Sequence, residues 1–252
     1  MPSDGQSSAA RERILVTGAA GRVAREIVPF LRDHFASRLM DVRRVRGELD
    51  DECVRADVRK LRGMRRACQG VRALVHLAAM PYEADFAREL MPHNLLGLHR
   101  AFEGARQAGV QKVIFASSVH TMRGYDGTDV LLTSDMAVRP STVYGCTKVF
   151  GEALARHYAD TYSMSMICLR IGKFLPYEAP GLRTNAEALS SWCSPRDLAQ
   201  LVTRSIRSDL PFGVFFAVSD TPVHRWDIAP ARRDLGYEPV DNAADYQERT
   251  GG

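Results

Sequence analysis

The sequence predicts an α/β fold, a doubly wound parallel sheet, and three observations predict it. Short apolar runs alternate with amphipathic helical stretches along almost the whole chain, the pattern of strands buried on both faces and joined by crossover helices. A glycine-rich turn, Gly18-Ala-Ala-Gly21, follows the first apolar run and opens the first amphipathic stretch. The 252 residues, 45% hydrophobic and 25% charged, hold no repeat, low-complexity segment or dividing linker, so they can bury one large core.

Residues 13–17 read as the first strand and 23–35 as the first helix. Gly18 permits the tight turn and Gly21 lets backbone approach a pyrophosphate. The first helical turn, with Ala20, Arg22 and Val23, offers free N–H groups and a positive dipole end to phosphates. Ala24 replaces the third Gly of the dinucleotide fingerprint, a tolerated swap. The turn therefore points to a dinucleotide on a Rossmann-type sheet.

Residues 38–41 form the second strand, and Asp41 lies where an acid holds the ribose hydroxyls of NAD and repels a 2′-phosphate. NAD is thus expected in preference to NADP, although Arg43 and Arg44 follow closely and would accept such a phosphate. Asp41 also suits a strand-end turn. Residues 53–58 resemble a third strand whose end, Asp57 and Val58, would meet the adenine ring. Residues 71–79 are a buried strand ending in Leu77, Ala78 and Ala79, which leave room for ribose and phosphates. His76 within this run reads as a satisfied core histidine. Residues 86–108 form one long helical pattern containing Asn94, whose amide would fix a lysine or a water near the site.

Residues 112–118 are another buried strand with a polar exit, Ser117-Ser118-Val119-His120. Ligands of open parallel sheets bind beyond the carboxyl ends of the strands, so Ser118 can hydrogen-bond a reacting hydroxyl, with Ser117 and His120 as substrate contacts. After a loop at 124–139, the helix at 142–161 carries Tyr144 and Lys148 on one face, four residues apart. A cation near a phenol favours phenolate, so the pair forms a candidate general base tuned toward neutrality. Of the 34 basic residues only Lys60, Lys112, Lys148 and Lys173 are lysines. A lysine at 148 therefore suggests a need for a compact ammonium.

Residues 164–171 are the next strand, with Ile171 at the cofactor end and Lys173 just beyond it. The loop at 175–191 would cover the crevice and carry Arg183 toward an anionic substrate. Ser194-Pro195-Arg196-Asp197 opens a helix, and 212–218 is the final strand. The expected organisation is a disordered segment at 1–10, a single domain at 11–240 and a tail at 241–252. Substrate-binding insertions near 174–195 and 219–240 would form a small C-terminal part.

The formal net charge of +4 is spread among 30 acidic residues with no long basic run, which argues against a nucleic-acid surface. The five cysteines show neither C-x-x-C nor metal spacing, which fits a reduced cytoplasmic setting and no metal. No apolar run reaches the length of a membrane span, and residues 1–10 lack the apolar core of a signal peptide.

Thr17-Gly18-Ala-Ala-Gly21, Asp57-Val58, His76-Leu-Ala-Ala79, Asn94, Ser117-Ser118, Tyr144-x-x-x-Lys148, Arg170-Ile-Gly172 and Ser194-Pro-Arg-Asp197 occur in this order. Together they resemble the extended short-chain dehydrogenase/reductase family, the NAD-dependent epimerases and dehydratases. The resemblance covers nearly the whole chain. Residues 115–121, 169–172 and 235–243 are most similar to uronate dehydrogenase and related sugar dehydrogenases. The resemblance implies that Tyr144 is the base, that Lys148 lowers its pKa and binds the nicotinamide ribose, and that Ser118 orients the hydroxyl. It also implies a homodimer or higher oligomer paired through the Asn94 and Tyr144 helices. Pro81 and Lys173 stand where the uronate enzymes have serines, and Val119 where they have an asparagine. Lys173 would suit a phosphate or another carboxylate. The expected activity is NAD-dependent oxidation of a sugar or sugar-acid hydroxyl. The alternative is a sugar or nucleotide-sugar epimerase or dehydratase that oxidises transiently, although no acidic pair follows Ser118.

Overall fold

The computed structural model describes residues 11–48, 51–179 and 190–246. Among them the apolar runs become strands β1 Arg13–Thr17, β2 Ala36–Asp41, β3 Glu52–Arg55, β4 Ala73–His76, β5 Lys112–Ser118, β6 Ser165–Ile171, β7 Lys173–Phe174, β8 Trp192–Cys193 and β9 Phe212–Ala217. A parallel seven-stranded sheet runs in the order β3-β2-β1-β4-β5-β6-β9. The order reverses between β1 and β4, the switch point where such sheets bind ligands.

Helices cover both faces: α1 Arg22–Leu31, α2 Leu61–Ala67, α3 Leu98–Gln107, α4 Val143–Tyr162, α5 Pro195–Arg207 and α6 Ala229–Leu235. Alternation along β1 divides the core in two. Ile14 and Val16 pack with Ile27 and Leu31 of α1 and Leu201 of α5, whereas Leu15 faces Met64 of α2, Phe102 of α3 and Phe115. Helix α1 buries Ala24, Ile27, Val28 and Leu31, one stripe at helical spacing. It ends at Leu31, short of the predicted 35, and runs on into a turn in which the amides of His34 and Phe35 both donate to the Leu31 carbonyl.

The helix expected at 86–108 is two pieces. Phe86–Gly97 is π-helical, capped by the Asp85 carboxylate on the Arg88 amide, and it leads into α3. Pro92 lies inside the π segment and brings no N–H to its ladder.

Two other expectations change in the C-terminal part. β7 and β8 pair in parallel, Lys173 with Trp192 and Phe174 with Cys193, so the described ends of the 175–191 loop are pinned side by side. The tail expected from 241 is docked through residue 243. Asp241 is buried and accepts from Ser194 Oγ at 2.6 Å and from the Arg196 guanidinium, Asn242 bridges to Asp220, and Ala243 is buried. Ser194 also caps α5 by accepting from the Asp197 amide at 3.1 Å.

His76 is a core residue: its Nδ1 lies 2.9 Å from Thr17 Oγ1, and Phe102 and Phe115 flank the ring. Burial, helped by the Lys148 charge, pulls its pKa from the ordinary 6.5 to about 3. A base depressed on folding contributes stability above its unfolded pKa and loses it as pH falls toward the folded value. His76→Gln should therefore flatten the fall in Tm between pH 6.5 and 3. Thermal melts of both proteins across that range check this.

Candidate active site

Gly18 sits at φ 70°, and a Cβ there would lie 2.8 Å from the Ala78 amide nitrogen. The turn after β1 therefore seats directly on the exit of β4. Gly21 is the N-cap of α1, leaving the first amides of the helix open at this edge.

A crevice of about 550 Å³ opens here, lined among others by Gly18, Gly21, Asp41, Asp57, Val58 and Ala78. Leu77 and Ala79 line it as well. The Asp41 carboxylate joins the turn to the end of β2: Oδ2 accepts from the Ala20 amide at 3.0 Å and Oδ1 from the Arg43 amide at 2.9 Å. Arg43 Nε approaches the same oxygen at 3.3 Å. Asp57 takes the Arg59 amide and guanidinium, and that hydrogen bond lowers its pKa. Arg22 is exposed on the first turn of α1, and Val23 packs against the core beneath.

Tyr144 and Lys148 stand beside this crevice at the end of β5. The Tyr144 helix is fastened at its start, where Thr142 Oγ1 accepts from the Gly145 amide at 3.0 Å and the Glu83 carboxylate from the Tyr144 amide at 2.9 Å. It presses closely on β5, since a Cβ on Gly151 would lie 2.3 Å from the Phe115 ring. The Tyr144 phenol lies close enough to the Ser118 hydroxyl for that hydroxyl to favour its ionised form, and its ring meets His120 edge-on at 5.3 Å. Ser118 Oγ also accepts from the His120 amide at 3.3 Å. Lys148 Nζ donates to the Ala116 carbonyl at 2.8 Å and lies 5.6 Å from the centre of the Tyr144 ring.

The structure brings Ser118, Tyr144, Lys148 and His120 together, but the expected lowering of the phenol is absent. Burial pushes Tyr144 up to about 12, opposed by its bond to Ser118. Burial also pulls Lys148 down to about 8, opposed by the Glu152 charge. The His120 pKa is lowered, chiefly by burial and then by Arg123, and its Nδ1 is buried without a partner.

Two other residues serve differently from expectation. Ser117 does not face a substrate: neighbours on a strand point to opposite faces, and its hydroxyl donates to Glu152 Oε1 of α4 at 2.5 Å. Asn94 reaches neither Lys148 nor the crevice surface. Its Oδ1 accepts from the Met80 amide at 2.7 Å and its Nδ2 donates to the Met80 carbonyl and Thr147 Oγ1, so it joins the crevice wall to α4.

Ile171 ends β6 opposite Ser118 in register, with Lys173 two residues further on. Arg183 lies outside the described residues. Sequence reasoning missed Met80 and His93 in the crevice wall, and it missed Glu152 altogether. Glu152 was findable, at i+4 from Lys148 on the same helix face.

A model of the NAD dependent epimerase/dehydratase family matches residues 14–206. NAD-dependent glucose-6-phosphate dehydrogenase of Haloferax volcanii is 32% identical over 256 residues, covering 92% of this chain and 95% of that protein. Uronate dehydrogenase of Pseudomonas syringae pv. tomato is 30% identical over 241 residues, covering 94% of this chain and 85% of its own. A solved mutant of uronate dehydrogenase from Agrobacterium tumefaciens, complexed with NAD, superposes with a TM-score of 0.85 at 32% identity. It covers 94% of this chain and 88% of that one.

Proposed function

The chain belongs to the NAD dependent epimerase/dehydratase family and its cofactor is NAD, and we propose that it oxidises a hydroxyl of a sugar or sugar acid. The observation that carries the reading is a buried phenol next to Ser118, with a buried ammonium 5.6 Å from its ring, beside a crevice whose floor admits only glycine at position 18.

The crevice fits the cofactor: the glycine turn leaves backbone bare for a pyrophosphate, Asp41 stands at the end of β2 for a ribose, and Asp57 with Val58 walls the adenine end. NAD supplies a hydride acceptor when bound. In this reading Ser118 positions the substrate hydroxyl and Tyr144 takes its proton. Lys148 attracts the negative charge that develops on the phenol as the proton leaves, and a phenol held near 12 needs that attraction. His120 and Lys173 flank the rest of the sugar, beyond the paired ends of β5 and β6. In the same reading the described parts of the insertions, 174–179, 190–195 and 219–240, contribute the rest of the substrate side.

The same reading extends to a cytoplasmic homodimer within which the chain is a single domain. Pairing is supported by Phe86, Met91 and Leu96 on the π segment and Phe150 on α4, all exposed apolar side chains. The free cysteines support a reducing compartment.

The relatives' names set the assay. With NAD, the protein should form NADH from at least one member of a panel of aldose 6-phosphates, uronates and free aldoses. Interconversion of a sugar without accumulation of NADH would replace the proposal with an epimerase, and inertness toward the whole panel would overturn it.

A further inference from the structure

Behind the Tyr144 face lies a group of buried charges. Glu152 is one helical turn beyond Lys148 on α4, so their side chains share a face. They dock on consecutive residues of one strand: Lys148 Nζ donates to the Ala116 carbonyl at 2.8 Å, and Glu152 Oε1 accepts from Ser117 Oγ at 2.5 Å. Arg170 of β6 completes the group, with Nε on Glu152 Oε1 at 2.9 Å and Nη2 on Oε2 at 2.8 Å. Its Nη1 donates to the Ser134 carbonyl at 3.3 Å. Arg170, Lys148 and Glu152 are 2%, 5% and 7% exposed.

One carboxylate thus serves two buried cations. A buried ammonium whose near contacts are a carbonyl oxygen and the Phe115 and Tyr144 rings tends to lose its proton unless a negative charge stands close. The groups around Lys148 are Tyr144 and Glu152 on its own helix, His76 on β4, and Ala116 and Phe115 on β5, while Arg170 and Cys168 on β6 face Glu152. Among these described residues Glu152 is the one carboxylate.

We propose that Glu152, clamped by Arg170 and Ser117, is a positioning residue that keeps Lys148 protonated beside Tyr144. This rests on the part given to Lys148 in the proposed reaction. The clamp has a reason in this scheme. An unanchored carboxylate on α4 would swing onto the ammonium and draw it from the phenol. With both oxygens fixed on Arg170, Glu152 acts on Lys148 through space and leaves it free to serve Tyr144. The electrostatics agree, since the Glu152 charge opposes the burial that depresses Lys148.

The four lysines of the chain make the test direct. NMR of protein carrying ε-carbon-labelled lysine follows each titration, and Lys148→Met assigns the signal. Glu152→Gln should lower the Lys148 protonation constant at least about tenfold, one pH unit, and move the alkaline limit of kcat/KM down with it. Glu152→Asp should restore part of both. If Glu152→Gln does not fold, the pair Glu152→Gln with Arg170→Met removes the ion pair as a unit, so that Arg170 is not left buried without its partner and Lys148 alone loses its carboxylate. It should give a smaller shift in the same direction. An unchanged Lys148 titration in either protein overturns the proposal, even if Tm falls. A shifted titration with an unmoved rate profile upholds the coupling and refutes the part given to Lys148 in the reaction.

Discussion

Replacing Tyr144 by phenylalanine should lower kcat by about 10²–10⁴-fold, the range that a positioned acid–base group supplies, while NAD affinity stays within about threefold. The asymmetry follows from what the side chain touches. Its ring contributes packing against His120 and lies under the Lys148 ammonium, and phenylalanine retains both contacts. The hydroxyl alone meets the Ser118 side chain. The lost oxygen leaves Ser118 with its His120 amide contact and removes the acceptor for the substrate proton. Steady-state NADH formation reads the first quantity and a dinucleotide titration reads the second. Turnover within a few-fold of the parent would reject Tyr144 as the base.

The second large effect belongs to Gly18. Substitution by valine forces an L side chain into the left-handed region at φ 70° and drives its Cβ against the Ala78 backbone, 2.8 Å away. The dihedral alone costs about 1–2 kcal/mol, and the contact adds to it because the obstacle is backbone and cannot rotate aside. Relief requires the exit of β4 to move, and Leu77 through Ala79 wall the crevice. Affinity for NAD should therefore fall by more than about tenfold, or 1.4 kcal/mol, with Tm lower by about 2–4 °C per kcal/mol lost. Calorimetry of NAD binding and a melt on the same sample check both. A variant that melts lower yet binds NAD normally would separate the turn from the binding crevice.

Most of the sheet was legible in the sequence because buried parallel strands are continuous apolar runs and the crossovers between them carry amphipathic helices. The parts that were not legible have local causes. The stretch at 86–108 keeps a helical pattern throughout, and which hydrogen-bond ladder it adopts around Pro92 is not encoded in apolar spacing. Strands β7 and β8 are two residues each and have no periodicity to read. Asp241 lies in a polar run that reads as a tail, yet it is buried because Ser194 and Arg196, far back in the chain, need its carboxylate.

In the site, Tyr144, Lys148 and Ser118 were legible from spacing and strand-end logic. The direction of the Tyr144 shift was not, because burial is a tertiary quantity that a motif does not carry. Ser117 failed for the converse reason: two adjacent serines at a strand exit look alike in sequence, and only the pleat decides which of them is taken up by Glu152.

The position of β1 between β2 and β4 also bears on synthesis. Ile14 pairs with Ser37 on one side and with Ala73 on the other, so the second partner leaves the ribosome about 60 residues later. At 5–20 residues per second this is a wait of about 3–12 s. During that interval an apolar strand edge stands open and the glycine turn lacks the backbone on which it rests, so the nascent chain is most prone to mispairing and most in need of a chaperone before residue 78 emerges.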